Sequence, residues 1–162
     1  MNHLEQLVYE YYDWLGYLVK SNINVGKRKQ GGYEMELDVV AYHPHTRYLI
    51  HIETSLDANS WEKRKERYLK KIESGKKYIF SEVFTWLSEN QVVDQQIISI
   101  HKAKDGFLGG IKVITIDDFM SKVIGDIIIG KGKAFGNAIP QKYPLLRTIQ
   151  FCICGYATKP QY

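Results

Sequence analysis

The sequence predicts a mixed α/β domain, a central sheet flanked by helices. Three observations predict it. The chain has 162 residues, the length of one domain with room for one sheet and the helices that cover it. Its composition, 44% apolar and 25% charged, is globular and excludes a disordered or fibrous chain. The spacing of its apolar residues switches between helical and strand periods in the order α-β-β-β-α-α-β-β-α.

The first helix follows from Leu4, Leu7, Val8, Tyr11, Leu15, Leu18 and Val19, which recur at three- and four-residue steps and form one stripe. Gly16 weakens that pattern, and Ser21-Asn22 breaks it. Residues 23–28 then make a strand ahead of a Gly31-Gly32 turn. Residues 34–43, EMELDVVAYH, alternate as a strand does. Glu34, Glu36 and Asp38 take one face, and Met35, Leu37, Val39 and Ala41 the other. After a His43-Pro44-His45-Thr46 turn, residues 47–55, RYLIHIETS, send Leu49, His51, Glu53 and Ser55 one way and Tyr48, Ile50 and Ile52 the other. So short a connection implies an antiparallel hairpin.

A second helix runs from an N-cap at about Ser60 to Ser74, with Gly75 as its stop. Trp61, Tyr68, Leu69 and Ile72 share a narrow arc at helical spacing, with Lys63, Arg67 and Lys70 opposite. Arg64 and Lys71 lie on one border, and Lys65 falls inside the apolar arc. Ile79, Phe80, Val83, Phe84 and Leu87 suggest a further helix. Residues 97–101 and 111–116 read as strands, and Asp117-Asp118 starts a short helix. Gly125, Gly130, Gly132 and Gly136 mark a loop-rich stretch before a terminal helix over 143–154. The whole chain, 1–162, is one domain, a core over about 4–101 with C-terminal additions over about 102–162.

Several classes are excluded. No apolar run approaches the roughly 20 residues that span a bilayer. The start, MNHLEQLVYEYYDW, is acidic and amphipathic, unlike a secretory or transit peptide, so the expectation is a cytoplasmic protein with no membrane partner. Cys152 and Cys154 are too few for structural zinc and are expected as buried small apolar residues. The run GKGKAFG over 130–136 lacks the spacing and final Ser/Thr of a phosphate loop and reads as a turn.

The net charge is +4, and it is unevenly placed. Between Trp61 and Lys77 stand eight Lys/Arg against three Glu, so that one segment carries +5 and the rest of the chain −1. A local anionic partner follows, nucleic acid above all. Lys63, Arg64, Lys70 and Lys71 are its candidate contacts, with Lys27-Arg28-Lys29 as a second patch. A plainer account also stands, since many helices carry solvated cations and bind nothing.

Asp38 lies within one strand of the hairpin and Glu53 near the end of the other, so their side chains can meet on one face. Two converging carboxylates suit a hard divalent cation such as magnesium, or manganese, and the Thr54 carbonyl could add a third ligand. Such a metal activates water and stabilises charge on a phosphate under attack. The alternative is two carboxylates on a half-solvated face, paired with Lys or Arg. Glu36 is an extra ligand or merely solvated, and His51 orients the site or fills a polar edge.

The run ELDVVAY, a short turn, LIHIETS and a basic helix resemble the core of the PD-(D/E)xK nuclease superfamily, the restriction-endonuclease-like fold. The resemblance implies an αβββαβ core over roughly residues 4–101 and a magnesium-dependent endonuclease, with a homodimer left open. Asp38 matches the first acid of the motif and Glu53 the second. Ser55 stands where the family has its Lys, and Leu37 where a Pro often precedes the Asp. The family Lys orients or activates the attacking water. Ser55 carries no charge, so a cation must reach in from the following helix, or the protein is a weak or inactive nuclease-fold module that binds nucleic acid or assists assembly. Lys65 is the first candidate, because an inward Lys needs a polar destination, and Arg64 and Lys71 come next. Arg64 and Tyr68 echo the QxxxY helix motif of one branch, and Glu5, on the border of the first helix, could approach the metal as a helix Glu does in some members.

Overall fold

The computed structural model describes residues 2–56, 61–103, 105–130 and 139–153, except for the side chains of 61–63 and 130. The chain forms a six-stranded mixed sheet with helices on both faces. Strand order is β1-β2-β3-β4-β6-β5. The strands are β1 Leu18–Lys27, β2 Tyr33–His43, β3 Tyr48–Ser55, β4 Val93–Ser99, β5 Phe107–Leu108 and β6 Ile111–Thr115. The first three run antiparallel, β3, β4 and β6 run parallel, and β5 is an antiparallel edge. The helices are α1 His3–Trp14, α2 Trp61–Tyr78, α3 Ile116–Gly130 and α4 Pro144–Ile153.

Helix α1 begins with a capping box. Asn2 Oδ1 accepts from the Leu4 and Glu5 amides at 2.9 and 3.0 Å, and Glu5 Oε2 accepts from the Asn2 amide at 2.9 Å. The expected stripe through Val19 overruns the helix, which ends at Trp14. Gly16, at φ +88°, takes the left-handed conformation that terminates it, and Leu18 pairs with Tyr42 as β1 begins. The first strand is therefore longer than residues 23–28.

The hairpin forms as expected. β2 and β3 pair from His43↔Tyr48 to Val39↔Ile52, with Arg47 at φ +55° in the turn. Strict alternation fails on one side. Leu37 and Met35 pack with Val40 and Tyr42, not with Val39 and Ala41. The change of parity falls at Asp38, which lies across from Asn22 at φ +49°.

The parallel β3–β4 pair requires a crossover, and α2 supplies it. Gly75 does not stop this helix, which continues to Tyr78 and passes into a five-residue π-helical turn, Ile79–Val83, in place of the separate helix expected there. β4 starts at Val93, earlier than expected, and the short β5 was not foreseen. α3 is a helix of 15 residues, with Gly125 inside it. Cys152 is exposed, against the expectation of burial. Ser60, the side chains of Trp61 and Lys63, Cys154 and residues 131–138 of the glycine-rich run lie outside the described residues.

Two apolar layers hold the domain together. Val39, Ala41, Ile50, Ile52 and Ile98 pack against Val8 and Tyr11 of α1, Phe119 and Val123 of α3 and Leu146 of α4. On the other face Val40, Tyr42 and Leu49 meet Tyr78 and Ile79, while Ile97 and Val113 meet Tyr68. Among the described residues no helix is long and apolar enough to cross a membrane.

Candidate active site

Asp38 and Glu53 converge where the β2–β3 ladder stops. Past Val39↔Ile52 the strands no longer exchange backbone bonds, and the two carboxylates take over the free amides. Thr54 donates to Asp38 Oδ2 from its amide at 2.8 Å and from Oγ1 at 3.1 Å. The Asp38 amide in turn donates to Glu53 Oε1 at 3.3 Å. Each acid thus has one oxygen fixed by the opposite strand. Both side chains are buried, and buried charges need to be paired.

The second oxygens face one cation. Lys71 of α2 hydrogen-bonds Asp38 Oδ1 and lies 2.5 Å from Glu53 Oε2. Burial pushes the Glu53 carboxyl up and the nearby Asp38 charge adds to it, while the His51 hydrogen bond and the Lys71 charge oppose without cancelling. For Lys71, burial works against the ammonium, but attraction to Glu53 and Asp38 outweighs it and the net shift is upward. The lysine is therefore held protonated.

Around this trio lies a cleft of about 370 Å³, lined by Glu5, Glu36, Thr54, Ser55, Arg67 and Tyr68 among others. Glu36 is exposed at its rim, and Glu5 also accepts from Asn22 Nδ2 at 3.1 Å. Ser55 is buried beside the acids, on the strand that pairs with Ser99 of β4. Tyr68, only 3% exposed, brings a hydroxyl that has no hydrogen-bond partner among the described residues.

Behind Glu53 is a polar chain that runs under α2. His51 Nε2 lies 2.8 Å from Glu53 Oε1, and His51 Nδ1 lies 3.2 Å from Gln95 Nε2. Gln95 also donates to the Ile72 carbonyl at 2.9 Å. The ring fits beneath the helix only because residue 75 is glycine, since a Cβ there would stand 2.3 Å from Nδ1.

The placement of the other expected residues corrects their ranking. Lys65 is exposed and is not the cation at the acids; Lys71, one of the two border residues, is. The buried side of α2 carries Arg64, Tyr68, Ile72 and Gly75, so it is rotated away from the arc that Trp61 and Leu69 suggested. Arg64, expected as a nucleic-acid contact, is 7% exposed and so is not a surface cation. Lys70 is exposed and pairs with Glu66 at 2.7 Å, and Arg67 borders the cleft. Lys63 falls among the side chains that are not described. Gln95 was missed because its strand was expected to begin at residue 97. Its signal is parity, because Val93, Gln95 and Ile97 share a face and a polar residue between two buried-strand neighbours needs a partner.

Hard oxygen donors and a protonated amine at one cleft suit hydrolysis of an anionic ester. Two acids leave most of a magnesium shell to water and substrate. Among the described residues no group of three or more His, Cys, Asp or Glu side chains is arranged around a metal position. No family model, curated protein or solved structure matches the chain.

Proposed function

We propose that this protein is a metal-dependent nuclease of the restriction-endonuclease-like type that hydrolyses DNA phosphodiester bonds. The observation that carries the proposal is the convergence of Asp38 Oδ1 and Glu53 Oε2 on a single positive charge, Lys71 Nζ. The donor set fits a divalent cation. Two carboxylate oxygens already share an ammonium, and their partner oxygens are committed to the sheet, so the free pair points one way. Asp38 and Glu53 would hold magnesium or manganese, with Thr54 completing the protein side. When bound, the metal supplies Lewis acidity toward water and the scissile phosphate.

The chain's own groups do the rest. Lys71 replaces the motif lysine that Ser55 lacks, delivered from the helix and not from the strand. As a held ammonium it serves as a donor to the phosphate oxygen that gains charge, not as a base. Its four-carbon stem and partial exposure would let it reach a phosphate bound beside a cation that Asp38 and Glu53 would hold. Arg67 at the cleft and Lys65 and Lys70 on the exposed side of α2 favour the DNA backbone.

The test is cleavage of plasmid and oligonucleotide DNA with magnesium or manganese. Asp38→Ala and Glu53→Ala should each abolish it, and Lys71→Met should slow it by about 10²–10³-fold, the usual cost of one charge-stabilising donor. Cleavage that survives both acid substitutions removes the site. One observation favours a second reading, a non-cleaving nucleic-acid-binding module: Lys71 already bridges both acids, as it would in a purely structural ion-pair network. Salt-sensitive DNA binding without metal-dependent cleavage selects that reading.

A further inference from the structure

We propose that His51 is a positioning residue that fixes which oxygen of Glu53 is offered to a divalent cation, through a proton arrangement set by Gln95 and the main chain of α2. The inference rests on the metal-site reading above and assigns it a further residue.

The proton arrangement follows from donor and acceptor types. The Ile72 carbonyl can only accept, so the Gln95 atom 2.9 Å from it is the amide nitrogen. That nitrogen carries a second hydrogen, and the His51 Nδ1 atom lies 3.2 Å away. Nδ1 therefore accepts, and the ring hydrogen sits on Nε2. From there it is donated to Glu53 Oε1 at 2.8 Å. Oε1 receives the Asp38 amide as well, at 3.3 Å, so this oxygen has two donors and Oε2 is the one left to face the cleft.

The ring has no freedom to do otherwise. His51 is completely buried, and residue 75 touches it so closely that a single added methyl would overlap both Nδ1 and Cε1. Partners of this kind, bonded to a metal-binding carboxylate but not to the metal, set the ligand's orientation and basicity.

The experiment measures manganese binding to the full chain by calorimetry or by the spin resonance of free manganese, alongside urea unfolding. His51→Leu removes the donor and should weaken binding by about 10–100-fold. His51→Gln returns an N–H near the Nε2 position and should restore most of it. That rescue separates positioning from mere packing. Gln95→Leu, which leaves the ring but frees its tautomer, should fall between the two, and it carries the same test if His51→Leu does not fold. Equal manganese affinity in wild type, His51→Leu and Gln95→Leu overturns the positioning role and leaves the metal site standing. Wild-type protein that binds no manganese overturns both.

Discussion

Gly75 has two opposing effects on stability, and their sizes decide a measurable sign. Near the end of α2, where the helical path continues into the π-helical turn, a glycine costs about 1 kcal/mol relative to alanine. Alanine at 75, however, would drive its Cβ to 2.3 Å from His51 Nδ1, and overpacking of that kind costs about 1–3 kcal/mol. The second effect matches or exceeds the first, so Gly75→Ala should lower urea stability by up to about 2 kcal/mol. Gly125 is the control. It lies inside α3 with nothing within 4 Å of an added Cβ, so Gly125→Ala should raise stability by about 0.5–1 kcal/mol. A stabilising Gly75→Ala would show that α2 can shift off the ring. The acids were legible in the sequence because a period of two and a short turn place Asp38 across from Glu53. Gly75 was not, because a glycine's identity reports backbone freedom, whereas here it serves clearance for a side chain remote in sequence.

At the scale of elements, a buried acid of α1 reinforces its apolar packing against α4. Glu10 Oε2 accepts the Leu145 and Leu146 amides at 2.9 and 3.1 Å, so a side chain of α1 satisfies the first turn of α4. A negative charge at that end is also favoured by the helix dipole. Pro144 starts α4 without needing a partner for an N–H. Glu10→Ala leaves one buried and one half-buried donor open and should cost about 1–3 kcal/mol. Native-state hydrogen exchange should then show α4 opening before the sheet. Uniform loss of protection across the sheet and α4 would contradict this order. The helices were legible wherever an apolar stripe met a stop signal that local chemistry alone decides. They were misjudged where tertiary pairing decides. Leu18 and Val19 continue the stripe of α1 in sequence, yet they pair with Tyr42 and Ala41 in β1. Lys65 and Lys71 differ by less than two helical turns, and the packing of Tyr68 and Ile72 selects between them.

Across the whole molecule, buried phenols make the fold sensitive to alkali. Burial raises the Tyr11 hydroxyl well above its ordinary value, helped by its bond to Asp126, and burial raises Tyr12 as well. Lys71 is shifted the same way by its carboxylates. In each case the native state keeps a proton that the unfolded chain gives up near pH ~10. Stability should therefore hold below about pH 10 and fall above it, by up to about 1.4 kcal/mol per pH unit for each such group. Urea midpoints taken from about pH 8 to about pH 11.5 test this, and Tyr11→Phe should flatten the decline by one group's share. A midpoint that stays level over that range would remove these phenols from the balance. The sheet itself carries a last consequence. Beyond Asp38, β2 pairs only with β1, and beyond Glu53, β3 pairs only with β4, so the sheet is a fork with the acids in its crotch. A ligand entering there meets the diverging ends of two strands. Main-chain amides hold both acids to those strands, whereas Lys71 reaches them on a four-carbon stem from the helix above.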